Sequence, residues 1–199
     1  MISIPAIRDR VVQGALRLIL EPIFEADFSR HSFGARPRRS AHDAIGEVRS
    51  GLMYQKHLVL DVDLKSFFDD IRHAPVLARV ARRVRDEQVL RLIKQFLKST
   101  GAKGIPQGSL SPLLANVMLN DLDHVLARGY GYFSYAPYLD DMVVLTYDSK
   151  RGRRWADRAL ERIREEAEAI GVSLNAEKTL KVDRKFKCQF ARRQKSDKS

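Results

Sequence analysis

The sequence predicts an α+β fold in which an antiparallel sheet is backed by helices. Apolar residues that alternate at period two predict strands, while stripes at helical spacing predict helices before, between and after them. A parallel doubly wound sheet needs regular strand–helix alternation, which this order of elements lacks. Two of the predicted strands, 132–138 and 142–146, are also close enough in sequence to form a hairpin. An antiparallel sheet therefore fits the pattern better.

Composition limits the class of protein. At 199 residues the chain can build one good core and does not require two domains. Its net charge of +11 and pI near 10.0 indicate a polyanionic partner, nucleic acid before membrane. The alternative is a charged surface that only favours solubility. No apolar run approaches membrane-spanning length, no secretory signal is evident, and Cys188 is the single cysteine, so we expect a cytoplasmic protein.

Two helices are predicted in the first quarter of the chain. The first has Asp9 as its expected N-cap and ends at Glu21-Pro22. The second begins at Ser40, which is spaced from Asp43 as in a capping box. The apolar stripe that predicts the first helix consists of Val12, Leu16 and Ile19.

A basic, irregular loop connects these two helices over residues 28–39. It carries Arg36, Arg38 and Arg39 around Gly34 and Pro37. Arginines on an irregular segment are suited to phosphate contacts, so we expect these three to bind nucleic acid.

The middle of the chain is predicted to be helical, with helices at 75–84 and 86–98. Arginines on the outer side of this region form either a solvated face or a surface that steers nucleic acid. The loop 103–110 then leads to Ser111-Pro112, a strong helix start, and Gly129 follows the expected helix end.

The last part of the chain is predicted to be a long helix followed by two short strands. Gly171 ends the helix, and the turn 175–178 separates strands at 172–174 and 179–183. Residues 185–199 are basic and polar, and we expect them to be loose. One face of the long helix carries the core stripe Trp155, Ala159, Ile163, Ala167 and Ile170.

The most informative residues are two groups of aspartates. Asp140 and Asp141 fall at or near the turn of the predicted hairpin, and Asp61 and Asp63 share one face of an upstream strand. Three of these carboxylates, if they converge, would hold two Mg²⁺ ions roughly 3.5–4 Å apart, as in phosphoryl transfer. The alternatives are an acidic hairpin tip in water and a solvated strand face.

Three motifs then occur in a specific order and spacing. They are D-x-x-x-F-F-D from Asp63, P-Q-G-S-L-S-P-L-L-A-N from Pro106 and Y-L-D-D from Tyr138. In these motifs the sequence resembles reverse transcriptases, most closely the group II intron-encoded (maturase-type) and group II-like bacterial enzymes. The resemblance extends from Ile4 to about Asp183. It implies a right-hand polymerase palm with mostly helical fingers, and RNA-directed addition of deoxynucleotides to a primer 3′-hydroxyl.

The resemblance implies catalytic roles for four residues. Asp63, Asp140 and Asp141 match the family's catalytic aspartates and would hold two Mg²⁺ ions, for which Mn²⁺ can substitute. Lys178 aligns with a lysine proposed to protonate pyrophosphate, although a surface turn residue is an equal alternative.

Further residues are implied to contact the incoming deoxynucleoside triphosphate. Phe68 matches an aromatic that would collide with a ribose 2′-hydroxyl, whereas for Phe67 we favour core packing as its main role. Backbone N–H groups of Ser66 and Phe67 could meet the triphosphate. Gln107 and Arg10 resemble a motif glutamine and a finger arginine near the nucleotide.

The resemblance also implies a domain plan and partners. An RNA template, a DNA primer and dNTPs would bind, with phosphates meeting Arg36, Arg38 and Arg39. We expect one reverse transcriptase domain over 1–190 and a tail at 185–199. Within the domain we assign 1–56 to fingers, 57–74 to a palm strand and motif, 75–110 to fingers and palm helices, and 111–184 to palm.

The sequence departs from the family pattern in several places. Leu139 and Pro137 stand where group II enzymes usually have Ala and Arg, and the thumb is expected to be absent. A partner chain or an intron RNA could then complement the protein. A catalytically weak RNA-binding, maturase-like fragment is the alternative to a polymerase. A two-metal nuclease is a more distant one, because it leaves the P-Q-G motif and Phe68 without a purpose.

Overall fold

The structure, a computed structural model, describes residues 6–99, 101–129 and 132–183. Within these ranges a five-stranded antiparallel sheet is backed by helices, which confirms the predicted α+β class. The helices are α1 (Ile7–Glu25), α2 (Ala41–Met53), α3 (Phe67–Asp70), α4 (His73–Ala81), α5 (Glu87–Lys98), α6 (Ser111–Ala127) and α7 (Lys150–Ile170). The strands are β1 (Leu58–Lys65), β2 (Phe133–Tyr138), β3 (Asp141–Thr146), β4 (Ser173–Leu174) and β5 (Leu180–Asp183).

Strand β1 is the centre of the sheet. It pairs with β3 on one side, and β2 lies outside β3 as an edge strand. On its other side β1 pairs with β5 along its first half and with β4 at Leu64 and Lys65. Every one of these pairings is antiparallel.

The two faces of the sheet are covered by different helices. Leu60 and Val144 belong to the main core, to which α6 and α7 contribute. Val59 and Val143 face the opposite way, because side chains alternate along a strand, and they pack with α2 residues such as Val48. The sheet is therefore buried on both faces along most of its length.

The helix boundaries differ from prediction in α1. The helix begins at Ile7 with Ala6 at the N-cap, so Asp9 lies in the first turn and does not cap it. It continues through Pro22 to Glu25, because Phe24 extends the buried side of the helix that Leu16 and Leu20 begin. Packing of that side thus outweighs the proline, which the sequence pattern had suggested as a stop.

Other ends of helices agree with prediction more closely. The capping box is confirmed, since Ser40 N–H donates to Asp43 Oδ2 at 2.8 Å and Asp43 N–H donates to Ser40 Oγ at 3.4 Å. Gly171 ends α7 with φ +90°. Ser111 is the first residue of α6 instead of its cap, because its hydroxyl donates to the Pro106 carbonyl oxygen and holds the preceding loop.

One arginine on α4 and two just after this helix form ion pairs within the protein. Arg79 lies 3.2 Å from Asp121, and Arg82 lies 2.9 Å from the same carboxylate on α6. Arg83 pairs with Asp27. These contacts join α4 to α6 and to the loop after α1, so this arginine face serves the fold.

Two further expectations concern membrane-spanning helices and the C-terminal tail. No helix within the described ranges combines the length and apolar character that crossing a bilayer requires. The tail at 185–199 lies outside the described residues.

A buried polar pair joins α6 to β2. The Tyr135 hydroxyl donates to Asp123 Oδ1 at 2.7 Å, and both side chains are buried. Burial raises the pKa of the Asp123 carboxyl to about 6, although the hydrogen bond from Tyr135 opposes part of that shift. Burial also raises the pKa of Tyr135 well above its usual value. Asp123 therefore binds its proton more tightly in the folded protein than in the unfolded chain.

This pair predicts a pH dependence of stability. Because the folded pKa of Asp123 is raised, its contribution is largest below the unfolded pKa and is lost as the pH rises through about 6. Between about pH 4.5 and about pH 7.5 the loss amounts to about 2 kcal/mol. Asp123→Asn, which keeps an acceptor for Tyr135, should remove this component from urea unfolding curves. An unchanged pH profile in the variant would contradict the assignment.

Candidate active site at the end of the sheet

The register of the sheet brings the predicted aspartates together. Tyr138 pairs with Asp141 across the β2–β3 hairpin, which leaves Leu139 and Asp140 as its loop. Asp63 on β1 pairs with Asp141 on β3. The hairpin position of the acid pair and its approach to Asp63 therefore agree with expectation.

The aspartates of β1 are not a solvated face. Asp61 and Asp63 are each 4% exposed and Asp141 is 3% exposed, whereas Asp140 is half-buried. Asp61, Asp63 and Asp141 lie on the same side of the sheet as Val59 and Val143, beyond the part of that side that α2 covers. Strand β1 also continues to Lys65, so Asp63 is inside the strand and not its last residue, because β4 extends the pairing to Leu64 and Lys65.

Two residues after β4 bind the Asp63 carboxylate. Asn175 Nδ2 donates to Asp63 Oδ2 at 3.0 Å, and Lys178 Nζ lies 3.4 Å from the carboxylate. The Asn175 backbone N–H also donates to the Asp63 carbonyl oxygen at 2.9 Å. Like charges directly opposite each other on paired strands are destabilising, so an ammonium group here offsets the repulsion between Asp63 and Asp141.

The sequence predicted a functional role for Lys178 but not for Asn175. Lys178 lies beside Asp63, one of the predicted catalytic aspartates, and its side chain is 51% exposed. For Asn175 the sequence indicates only a position in the turn 175–178. Its role follows from the pairing of β4 with β1, which spans more than a hundred residues of sequence and leaves no local signal.

The donor atoms at this site suit a hard divalent cation. Asp63, Asp140 and Asp141 supply carboxylate oxygens, which Mg²⁺ and Mn²⁺ prefer over nitrogen or sulfur. Among the described residues, however, no three acidic, histidine or cysteine side chains are grouped closely enough to hold a metal ion. Lys178 already contacts the Asp63 carboxylate, so a metal ion bound there would share this carboxylate with Lys178 or displace it.

The basic loop before α2 supports the hairpin from one side. Phe33 N–H donates to the Pro137 carbonyl oxygen at 3.2 Å, and Asn116 Nδ2 donates to the Gly34 carbonyl oxygen at 2.8 Å. A Cβ added at Gly34 would lie 2.5 Å from Leu139 N. Leu139 itself has φ +56°, a left-handed conformation that is strained for a branched side chain.

The segment after β1 is docked on the P-Q-G loop. Ile105 N–H donates to the Phe68 carbonyl oxygen at 2.7 Å, and Gly104, with φ +91°, donates to the Ile71 carbonyl oxygen at 2.8 Å. Phe67 is buried in the main core, as favoured from the sequence, and Phe68 is half-buried with its ring edge-to-face against Phe67 at 5.3 Å. Ser66, with φ +47°, is exposed.

Helix α1 joins the same neighbourhood through a close contact. Gly108 lies against the Gln13 side-chain amide, which leaves no room for a Cβ there. Gln107 immediately precedes Gly108 and is exposed. Arg10 is exposed one turn before Gln13 on α1. The structure therefore brings the predicted nucleotide contacts Arg10, Phe68 and Gln107 onto adjoining segments.

Arg36 is a correction to the predicted phosphate contacts. It is 7% exposed, pairs with Glu25 at 2.7 Å, donates to the Ser32 carbonyl oxygen at 2.9 Å and lies over the Phe28 ring. These contacts use the guanidinium to close the loop, so it is not available to a phosphate. Arg38 is exposed, and Arg39 is half-buried over the Phe33 ring, 5.5 Å from its centroid.

Comparison with known proteins identifies the family. The profile described as reverse transcriptase (RNA-dependent DNA polymerase) matches residues 1–190. Protein YkfC of Escherichia coli K12 is 38% identical over 65% of this chain, which covers 38% of that protein. Group II intron-encoded protein LtrA of Lactococcus lactis is 36% identical over 61% of the chain, which covers 22% of it. The chain thus spans well under half the length of these relatives.

Solved structures show the same fold at low sequence identity. Apo telomerase from Candida tropicalis superposes with a TM-score of 0.63 at 14% identity, over 89% of this chain and 37% of that one. Telomerase from Candida albicans, solved with a fragment of telomeric RNA, superposes with a TM-score of 0.58 at 15% identity, over 90% of this chain and 34% of that one. This likeness confirms the right-hand polymerase architecture predicted from the sequence.

The contact between Gly34 and the hairpin predicts opposite effects for two glycine substitutions. Gly34→Ala should destabilise the protein by about 1–3 kcal/mol, because the new methyl group overlaps the Leu139 backbone. Gly46→Ala is the control, since its Cβ would meet nothing within 4 Å, and it should stabilise α2 by about 0.5–1 kcal/mol. Urea unfolding measures both. Equal effects at the two positions would show that the loop does not press on the hairpin.

Proposed function

The chain belongs to the reverse transcriptase (RNA-dependent DNA polymerase) family, and we propose that it adds deoxynucleotides to a primer 3′-hydroxyl under the direction of an RNA template. The observation that carries this proposal is the register pairing of Asp63 with Asp141 beside Asp140. Two buried carboxylates placed opposite each other weaken a sheet, so their presence favours a role in binding a cation.

The reaction joins the primer 3′-oxygen to the α-phosphorus of a dNTP and releases pyrophosphate. When held by Asp63, Asp140 and Asp141, two Mg²⁺ or Mn²⁺ ions would lower the pKa of the 3′-hydroxyl and neutralise the leaving group. The register of the sheet holds Asp63 opposite Asp141, with Asp140 in the adjoining hairpin loop, so the carboxylates are already gathered before a substrate binds.

Lys178 is suited to a second task in this reaction. Its ammonium lies 3.4 Å from Asp63 while half of its side chain remains in solvent, so it can leave the carboxylate for another anion. The leaving pyrophosphate is such an anion, and an ammonium donor can protonate it. Asn175 would keep its hydrogen bond to Asp63 and hold that carboxylate in place.

Residues on the adjoining segments would bind the nucleotide. Arg10 and Gln107 are exposed and belong to α1 and the P-Q-G loop, which meet at Gln13 and Gly108. Phe68 is half-buried against Phe67, a position from which its ring can meet a sugar and reject a 2′-hydroxyl. Arg38 is exposed and would meet template or primer phosphates, whereas the Arg39 guanidinium already donates to the Arg30 carbonyl oxygen.

A second candidate function is RNA binding without efficient catalysis. It is favoured by the contacts of Asp63 with Lys178 and Asn175, and by the absence of a metal-holding group among the described residues. Nuclear intron maturase 2 of Arabidopsis thaliana is also similar, at 39% identity over 45% of this chain and 12% of that protein. In this case an intron RNA would be the partner.

Primer extension distinguishes the two functions. With an RNA template, dNTPs and Mg²⁺ or Mn²⁺, the wild type should extend a DNA primer, and Asp140→Ala should lower the rate by at least about 10³-fold. Asp157→Asn is the control, because this carboxylate is exposed and pairs with Lys181 on the surface. Salt-sensitive RNA binding without any extension, equal in wild type and Asp140→Ala, would favour the RNA-binding function.

Lys178→Gln separates two effects of this lysine. Removing the ammonium from Asp63 should tighten Mn²⁺ binding, measured directly by calorimetry, because a cation that competes for the carboxylate is lost. If Lys178 also protonates pyrophosphate, saturating extension should fall by about 10²-fold or more. Unchanged Mn²⁺ affinity would show that the contact with Asp63 is incidental.

A further inference from the structure

A stripe of arginines and one tryptophan runs along the outer side of α7. Arg151, Trp155, Arg158 and Arg162 recur at spacings that place them on one helical face. The three arginines are exposed and Trp155 is half-buried. Trp155 packs against the main core, as the sequence predicts, while its arginine neighbours on this stripe are exposed.

Trp155 takes part in a stack of aromatic rings with arginines beside it. Tyr132 lies nearly parallel to it, with ring centroids 4.6 Å apart and planes 13° apart. The Arg151 guanidinium lies 5.1 Å from the Tyr132 centroid, and the Arg158 guanidinium lies 5.5 Å from the Trp155 centroid. Tyr132 is 46% exposed, so this stack reaches the surface.

The stack borders an open groove between α7 and the end of α6. The groove has a volume of about 570 Å³ and is also lined by Arg128, Arg162 and Glu165. Glu165 lies 2.9 Å from Arg162, so part of its charge is already compensated. A space of this size accommodates a nucleobase with its sugar, since small-ligand pockets start at about 300 Å³.

We propose that this groove binds a single-stranded segment of RNA. The exposed Tyr132 ring and the guanidinium planes can stack on nucleobases of any sequence, and the exposed arginines can also bind phosphates. The chain as a whole carries a charge of +11, which favours a polyanionic occupant over an acidic or neutral protein. We name the surface formed by Tyr132, Trp155, Arg128, Arg151, Arg158 and Arg162 the α7 groove.

The α7 groove is separate from the candidate active site. It adjoins Phe133 at the start of β2, whereas the aspartates lie at the opposite end of this strand and of β3. Six residues of strand correspond to about 20 Å. Helix α7 also covers the main-core face of the sheet, and the aspartates lie on the other face. The groove would therefore hold RNA whether or not the chain catalyses extension.

Trp155 provides a direct test, because it is the only tryptophan of the chain. Titration with a single-stranded RNA oligonucleotide should quench its fluorescence in a saturable manner, in step with the anisotropy of a labelled RNA. Quenching should weaken as salt rises, since phosphate contacts release counterions. RNA that binds only beside the distant aspartates would raise the anisotropy and leave Trp155 emission unchanged, which would overturn the proposal.

Substitutions that preserve the aromatic pair separate RNA binding from folding. The double variant Arg151→Gln, Arg158→Gln should weaken the quenching transition by at least about tenfold and lower its salt slope by about two, one for each lost phosphate contact. Arg85→Gln is the matched control, because this arginine is exposed between α4 and α5. It removes one positive charge, where the double variant removes two, and it should reduce the affinity measured by quenching only slightly.

Two outcomes would assign the arginines to a different role. Equal quenching affinity in the double variant and the wild type would mean that Arg151 and Arg158 only cover the rings. Equal losses per charge in the double variant and in Arg85→Gln would mean that binding follows net charge and not the α7 groove. Either result overturns the proposal, and neither bears on the primer-extension test.

Discussion

Antiparallel pairing of β1 with β3 places the Asp63 carboxylate opposite that of Asp141, and much of the structure is arranged around this unfavourable contact. Both side chains are almost fully buried, so water screens their repulsion poorly. The turn after β4 offsets it by bringing Lys178 and Asn175 to Asp63. A sheet that tolerates such a pair gains nothing in stability from it, which is why a cation-dependent function is the natural interpretation.

The segments around Asp63 and Asp141 are positioned largely by contacts that involve the backbone. The loop before α2 presses Gly34 against the hairpin and is itself closed by Arg36 and anchored by Asn116. The P-Q-G loop is fastened to the segment after β1 through Ile105. Arg36, which looks functional by residue type, thus stabilises the loop that carries the exposed Arg38.

The two faces of one sheet carry two different surfaces. The aspartates and the segments around them lie on the face that α2 covers, and the α7 groove lies behind the opposite face.

The sequence by itself determined the fold class, the hairpin with its acid pair and the capping box of α2, because these depend on local periodicity and on neighbouring residues. It also singled out Lys178, but only through resemblance to a family. Tertiary structure alone decided that Asn175 binds Asp63 and that Arg36 is buried. Tertiary structure also decided that α1 continues past Pro22. Each of these depends on a contact between distant segments or on packing, and the free energy of such contacts leaves no pattern in the local sequence.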